Sequence, residues 1–156
     1  MDAPRWLADE MLGRLARYLR FMGHDTAYAQ SRSDAEIAAW AVRDARTLLT
    51  RDRALAHRVA GALLLASPAL ADQLRAVRAA YPDLDYRVRF TRCTRCNGSL
   101  APLSPDPGAP APAGVPVSRW TTGRVLFRCA ECGHVYWEGS HAAGIRTTLD
   151  AVFRSA

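Results

Sequence analysis

Trp6-Leu7-Ala8-Asp9-Glu10-Met11-Leu12-Gly13-Arg14-Leu15-Ala16-Arg17-Tyr18-Leu19-Arg20-Phe21-Met22 decides how this chain folds. Three apolar residues, too few for a helix, run straight into an aspartate. Leu12, Leu15, Leu19 and Met22 then recur at spacings of three and four, the period of an amphipathic helix. The pattern predicts a strand over residues 6–8 and a helix over 11–22, with Gly23 as its left-handed terminator. The other face of that helix carries Arg14, Arg17 and Arg20.

The same alternation continues outward. A second strand is predicted over residues 25–29, after which Ser33-Asp34-Ala35-Glu36 has the spacing of a capping box opening a helix with Ile37, Trp40 and Ala41 inward. Residues 47–50 read as a third strand, followed by Arg51-Asp52-Arg53 and a helix to about residue 59; residues 62–66 read as a fourth. Ser67 and Pro68 are the expected N-cap and first helical position of a helix over 69–80, which Tyr81-Pro82 ends. Strands alternating with amphipathic helices predict an α/β fold, a parallel sheet flanked by crossover helices.

From residue 87 the character changes. Arg87-Val88-Arg89-Phe90 alternates like a strand and leads into Cys93-Thr94-Arg95-Cys96; Cys129-Ala130-Glu131-Cys132 follows much later. Two Cys-x-x-Cys turns supply the four thiolates of a tetrahedral zinc site, and Gly98 and Gly133 suit the unusual backbone angles after each knuckle. The gap between the pairs exceeds the common spacing of about 15–20 residues. Residues 101–117 hold six of the nine prolines, which excludes helix and central strand and predicts an irregular, mobile excursion. His134 and His141 lie nearby, but four cysteines already close the site. Ile145, Leu149 and Val152 give residues 142–153 helical spacing and an apolar face to dock back. The expected division is an αβ unit over 1–86 and a zinc ribbon over 87–156.

A chain of 156 residues accommodates a compact domain of about 100 residues with a metal-stapled appendage. All four cysteines lie in the second half, so the first is held by an apolar core, for which 49% hydrophobic residues suffice. The formal charge is +6, yet every one of the 21 basic residues is arginine, a bias typical of GC-rich coding. Only local arginine clusters therefore bear on nucleic-acid binding. The start carries Asp2 and Arg5, and the apolar run at 60–71 is broken by Pro68 and too short to span a bilayer. The expectation is a cytoplasmic, reducing setting without a membrane, where paired Cys-x-x-Cys turns hold metal.

Asp9, Asp34 and Asp52 each stand where a strand hands over to a helix. Singly, each has a structural explanation as a cap or a dipole partner. Jointly they fall on one edge of a parallel sheet, where carboxylates repel unless cations lie between them. Arg14, Arg17, Arg51 and Arg53 are near in sequence and could pair with the acids or receive phosphates. Two carboxylates plus substrate phosphate is a common way to hold Mg²⁺ or Mn²⁺ for phosphodiester cleavage.

These segments, together with Gly23-His24-Asp25, Asp34-Ala35-Glu36-Ile37, Leu48-Leu49-Thr50-Arg51-Asp52-Arg53, Cys96-Asn97 and Tyr136-Trp137-Glu138-Gly139-Ser140-His141, closely resemble the Mut-seven C-terminal RNase domain family, a branch of the PIN-like ribonucleases. The resemblance spans nearly the whole chain. It implies a PIN-like sheet, a divalent-metal ribonuclease site and a zinc ribbon that helps hold RNA. The family's acidic positions fall on Asp9, Asp34 and Asp52. The additional acid of fuller PIN nucleases has Glu10, Glu36 and Asp72 as its candidates here.

The leading expectation is a metal-dependent ribonuclease, an endonuclease, whose acids hold one or two Mg²⁺ or Mn²⁺ ions that activate water, with Arg14, Arg17 and Arg51 as substrate contacts. His24 and His57 have no nucleophile partner and read as structural or surface residues. The alternative is an RNA-binding or ribosome-associated adaptor using the ribbon, with Arg92, Arg95 and Arg128 for phosphates and Tyr136 and Trp137 for base stacking. Fold kinship alone suggests a toxin with an antitoxin partner.

Overall fold

The structure, a computed structural model, describes residues 3–106 and 108–154; Met1, Asp2, Pro107, Ser155 and Ala156 lie outside them. Four parallel strands, β1 (Trp6–Ala8), β2 (Thr26–Tyr28), β3 (Thr47–Thr50) and β4 (Leu63–Leu64), form a sheet in the order β2-β1-β3-β4. Leu7 pairs with Ala27 on one side and Leu48 on the other. Alternation sends neighbouring side chains to opposite faces. Trp6, Ala8 and Leu49 pack against α1 (Gly13–Phe21) and α4 (Leu70–Ala80), whereas Leu7 and Leu48 pack with Ile37 of α2 (Asp34–Arg43) and Leu55 of α3 (Arg53–Arg58). Helices on both faces of a parallel sheet are the predicted α/β architecture.

Local chemistry sets the element boundaries. A 3-10 turn at Glu10–Leu12, capped by Asp9, precedes the regular part of α1. The capping box at Ser33 and Glu36 is formed, with Glu36 accepting from the Ser33 backbone at 2.8 Å. Ile37 and Ala41 are buried, whereas Trp40 is half-buried and donates to Asp44 at 2.8 Å. Ser67 is not the N-cap of α4: its hydroxyl donates to Asp72 and its carbonyl accepts from Gln73, so the helix opens at Leu70 with Ala69 as cap and Pro68 ahead of it.

Residues 87–90 form no strand. Arg87 and Arg89 fold back onto Asp85, Val88 packs on the core, and Phe90 stacks on Phe127 at 4.9 Å. The alternation therefore belongs to a segment laid along the end of α1, tied by a 2.8 Å bond from the Arg89 amide to the Phe21 carbonyl.

The second half builds an antiparallel sheet, β5 (Leu100–Leu103), β6 (Leu126–Cys129) and β7 (Val135–Tyr136), in that order. Contrary to the expectation of wholly irregular structure, the proline-rich stretch starts inside β5. Pro102 is accommodated there because β5 is an edge strand, where a missing amide hydrogen is tolerated. The stretch is also anchored. Trp120, ending α5 (Val117–Trp120), is buried with Val115, Leu126 and Val135, and its indole donates to the Ala109 carbonyl at 2.9 Å. Finally α6 (Ser140–Arg154) returns and buries Ile145, Leu149 and Val152 in the core shared by α1 and α4. No helix among the described residues is long and apolar enough to cross a membrane.

A polar joint ties sheet to ribbon. Arg20, expected on the solvent face of α1, is 6% exposed and donates to the carbonyls of Thr26 at 2.8 Å and Thr94 at 3.1 Å. Asn97, left-handed at φ 69°, accepts from the Thr26 amide and donates to Asp25 at 2.7 Å. Arg46 donates to the same carboxylate at 2.7 Å. Burial alone would raise the Asp25 pKa, but the Arg46 and Asn97 hydrogen bonds and the charges of Arg46 and Arg92 outweigh it, lowering it from 3.8 to about 2. A depressed carboxyl pKa stabilises the fold above the unfolded value of 3.8 and loses that contribution as pH falls through about 2. Asp25→Asn should therefore cost about 2 kcal/mol near neutrality. Urea unfolding of both proteins checks this: the gap between them narrows between pH 4 and pH 2.

Candidate functional site

The sulfurs of Cys93, Cys96, Cys129 and Cys132 lie within 4.8 Å of one another, and none is in a disulfide. Cys93 and Cys132 are 3.6 Å apart and Cys96 and Cys129 3.5 Å, close to the edge of about 3.8 Å of a tetrahedron with zinc–sulfur bonds of about 2.3 Å. The Tyr136 hydroxyl lies 3.0 Å from the Cys93 sulfur and 3.1 Å from the Thr94 amide, so it orients a ligand. Burial raises the Cys93 thiol, but Tyr136 and neighbouring backbone amides outweigh it and bring its pKa to about 6. Burial and the adjacent sulfurs push Cys96 up to about 12. A second thiolate this close is disfavoured unless a cation shares the site. The donor set fits zinc.

Asn97 and Gly133 take the left-handed angles after the knuckles, whereas Gly98 is needed for space: a Cβ there would lie 2.5 Å from Glu131. His134 and His141 stay outside the cysteine set, the first 3.3 Å from Arg95 and the second edge-on to Phe21.

At the other centre, the chain runs from β1 to β2 on one side, then crosses to β3 on the opposite side of β1. The carboxyl ends of β1 and β3 thus bound the switch point where open α/β sheets bind ligands. Asp9 follows β1 and Asp52 follows β3. Asp9 is 4% exposed; its Oδ1 accepts from the Met11 amide at 3.0 Å, and its Oδ2 from the Arg51 amide at 3.0 Å and the Thr50 hydroxyl. Asp52 is exposed and caps α3 by accepting from the Leu55 amide at 2.9 Å.

Asp34 stands at the start of α2, exposed, with Arg58 at 3.9 Å, a surface pair of little energetic weight. The three aspartates share the carboxyl edge but form no single ligand cage: among the described residues, only the cysteines make a group of three or more metal-ligating side chains. Of the other acids, Glu36 serves the capping box, Asp72 contacts Ser67 and Arg75, and exposed Glu10 lies beside Asp9. Arg14 and Arg17 are exposed on α1. Arg51 contributes its backbone amide to Asp9, and its side-chain Nε is buried without a partner among the described residues.

Thr50 is the residue that sequence reasoning missed. It is fully buried, its hydroxyl donates to Asp9, and the same oxygen accepts from the Asp52 amide at 2.9 Å. Its signal was a hydroxyl ending an apolar strand two residues before an acid, which strand propensity alone also explains. Thr50→Val keeps the shape and removes both bonds. It should lower any activity of this edge by about tenfold to a hundredfold and cost about 1–3 kcal/mol, read from initial rates and denaturant midpoints.

Comparison with curated proteins and with solved structures gave no match. The family model described as the Mut7-C RNAse domain matches residues 4–149, a span that includes the parallel sheet, the acidic edge and all four cysteines. The chain belongs to the Mut7-C RNAse domain family.

Proposed function

We propose that the protein is a divalent-metal-dependent ribonuclease that cleaves RNA phosphodiester bonds, acting as an endonuclease, with Asp9, Asp34 and Asp52 as its acids. Membership of an RNase domain family supports RNA as the substrate. One observation carries the catalytic reading: in a chain with 21 arginines, the buried Asp9 carboxylate has none within ion-pair distance among the described residues. Three hydrogen bonds hold the carboxylate but no arginine neutralises it, which leaves it able to take a cation.

The donor set fits Mg²⁺ or Mn²⁺, which take oxygen ligands and are often held by one or two carboxylates plus water and substrate phosphate. Asp9 and Asp52 are the first holders, with Asp34 further along the edge. When bound, the ion supplies activation of water for in-line attack and neutralises charge on the phosphate. Thr50 and the Arg51 amide keep Asp9 from rotating, so the carboxylate need not reorganise when substrate arrives. Arg14 and Arg17 receive flanking phosphates, and the Arg51 side chain is a further contact.

The four cysteines take structural zinc, and unpaired thiols of this kind suit a reducing, cytoplasmic setting. Residues 1–86 form the nuclease unit in this reading and 87–156 the ribbon that supports it. The test is incubation of zinc-loaded protein with mixed RNA, with and without Mg²⁺ or Mn²⁺. Cleavage should require the added ion and vanish in an Asp9→Asn, Asp52→Asn double variant. RNA retained uncut under every condition would favour an RNA-binding adaptor.

A further inference from the structure

A cleft of about 810 Å³ lies between the αβ unit and the ribbon. One wall is α1, presenting Arg17 and Phe21; the opposite wall is ribbon, presenting Arg95, His134 and Trp137; Arg119 of α5 closes one side. Arg17, Arg95 and Arg119 are exposed, and none is in an ion pair with a described residue. No aspartate or glutamate is among the residues lining the cleft. Positive charge is thus uncompensated along its walls, which focuses the field on an anion.

The cleft also leads somewhere. Its end opposite the ribbon is formed by Gly13, Tyr28 and Gln30, at the carboxyl edge of β2. The Tyr28 hydroxyl donates to the carbonyl of Glu10, the residue after Asp9, at 2.8 Å. Gly13 gives way to the same ring, since a Cβ there would lie 3.1 Å from that hydroxyl. Through Tyr28 and the Glu10 carbonyl this part of the cleft is tied to the turn that follows Asp9, although Asp9 itself does not line it.

We propose that this cleft binds single-stranded RNA and guides an unpaired strand from the ribbon to Asp9 and Asp52, an inference that rests on the ribonuclease reading. Arg17 and Arg119, on different walls, take phosphates. Trp137, half-buried with the Arg119 guanidinium 5.8 Å over its ring, offers a platform for a base. Aromatic platforms of this kind meet only unpaired bases, because a duplex keeps its base faces inside the stack. Tyr136 also lines the cleft, with its hydroxyl held by Cys93 and Thr94.

The test is fluorescence anisotropy with the zinc-loaded full chain, without Mg²⁺ or Mn²⁺, using a labelled oligo-uridine strand and an RNA hairpin of equal length. The single strand should bind at least about tenfold tighter than the hairpin stem. The Arg17→Ala, Arg119→Ala pair should weaken it about tenfold or more and flatten the slope of log affinity against log salt by about 1.4, at about 0.7 per phosphate. Trp137→Leu, with zinc content measured to confirm the ribbon, should weaken binding about fivefold or more. Equal affinity for strand and stem, or an unchanged salt slope in the arginine pair, overturns the proposal. Binding is read without cleavage, so the two readings fail separately. Loss of cleavage with this binding intact refutes only the nuclease, and metal-dependent cleavage with unaltered binding in the variants refutes only the cleft.

Discussion

Asp9→Asn is expected to lower RNA cleavage by at least about a hundredfold while leaving the fold as stable as before to within about 1 kcal/mol. Loss of an outer-shell partner of a metal ligand typically costs about tenfold to a hundredfold, and Asp9 is placed here as a ligand itself. Stability behaves differently because the substitution has two opposed effects. Asparagine can still accept from the Arg51 amide and the Thr50 hydroxyl, but its amide nitrogen then faces the Met11 amide and that bond is lost. Against this, a buried charge is removed. A variant that melts normally, binds RNA normally and does not cut it is the signature of a functional carboxylate. Asp52→Asn should behave likewise, since asparagine is as good an N-cap for α3 as aspartate.

Zinc removal should have the largest effect on stability. Structural zinc contributes on the order of 10 kcal/mol to small modules, far more than the apolar cluster of Val115, Trp120, Leu126 and Val135 can replace. Chelation should therefore melt β5 to β7. The first half should keep its helical signal but lose the Arg20 bonds to Thr94 and Arg95 and the Asn97 bonds to Asp25 and Thr26. Its melting temperature should fall by at least about 10 °C. Circular dichroism with and without chelator checks this; an unchanged first-half transition would mean that the joint carries no stability.

The first eighty residues were legible because their signals are local. Leu12, Leu15 and Leu19 recur at helical spacing, Leu7 and Leu48 fill one face of short strands, and Ser33 with Glu36 forms a cap within one turn. The four-cysteine cluster was legible for the same reason, since each knuckle places two thiols on one turn of four residues. What escaped depends on contacts between distant segments. The 87–90 alternation reads as a strand, but no neighbouring strand is there to pair with it, and Phe90 finds Phe127 instead. Arg20 looked like one of a solvent-facing arginine row until the carbonyls of Thr26 and Thr94 closed around it. Pro102 argued only against a helix or a central strand, and sequence does not reveal that β5 lies at an edge where it is tolerated. Thr50 became part of the acidic edge only when β1 and β3 became neighbours.

Asp9, Asp34 and Asp52 were legible as residues but not as a geometry. Each follows a strand of one parallel sheet, so all three belong to its carboxyl edge, yet their separation is set by strand order. The order β2-β1-β3 brings Asp9 and Asp52 to neighbouring strands, whereas Asp34 opens the helix after β2 and meets Arg58 of α3.

The most direct test of the central claim is cleavage of an RNA carrying sulfur in place of one non-bridging oxygen at a single scissile phosphate. If an ion held by Asp9 and Asp52 contacts that phosphate, one of the two sulfur isomers should be cut far more slowly in Mg²⁺ and regain its rate in Mn²⁺, which accepts sulfur more readily. Equal rates for oxygen and both sulfur isomers in Mg²⁺, or cleavage that persists without any added divalent ion, would contradict the account.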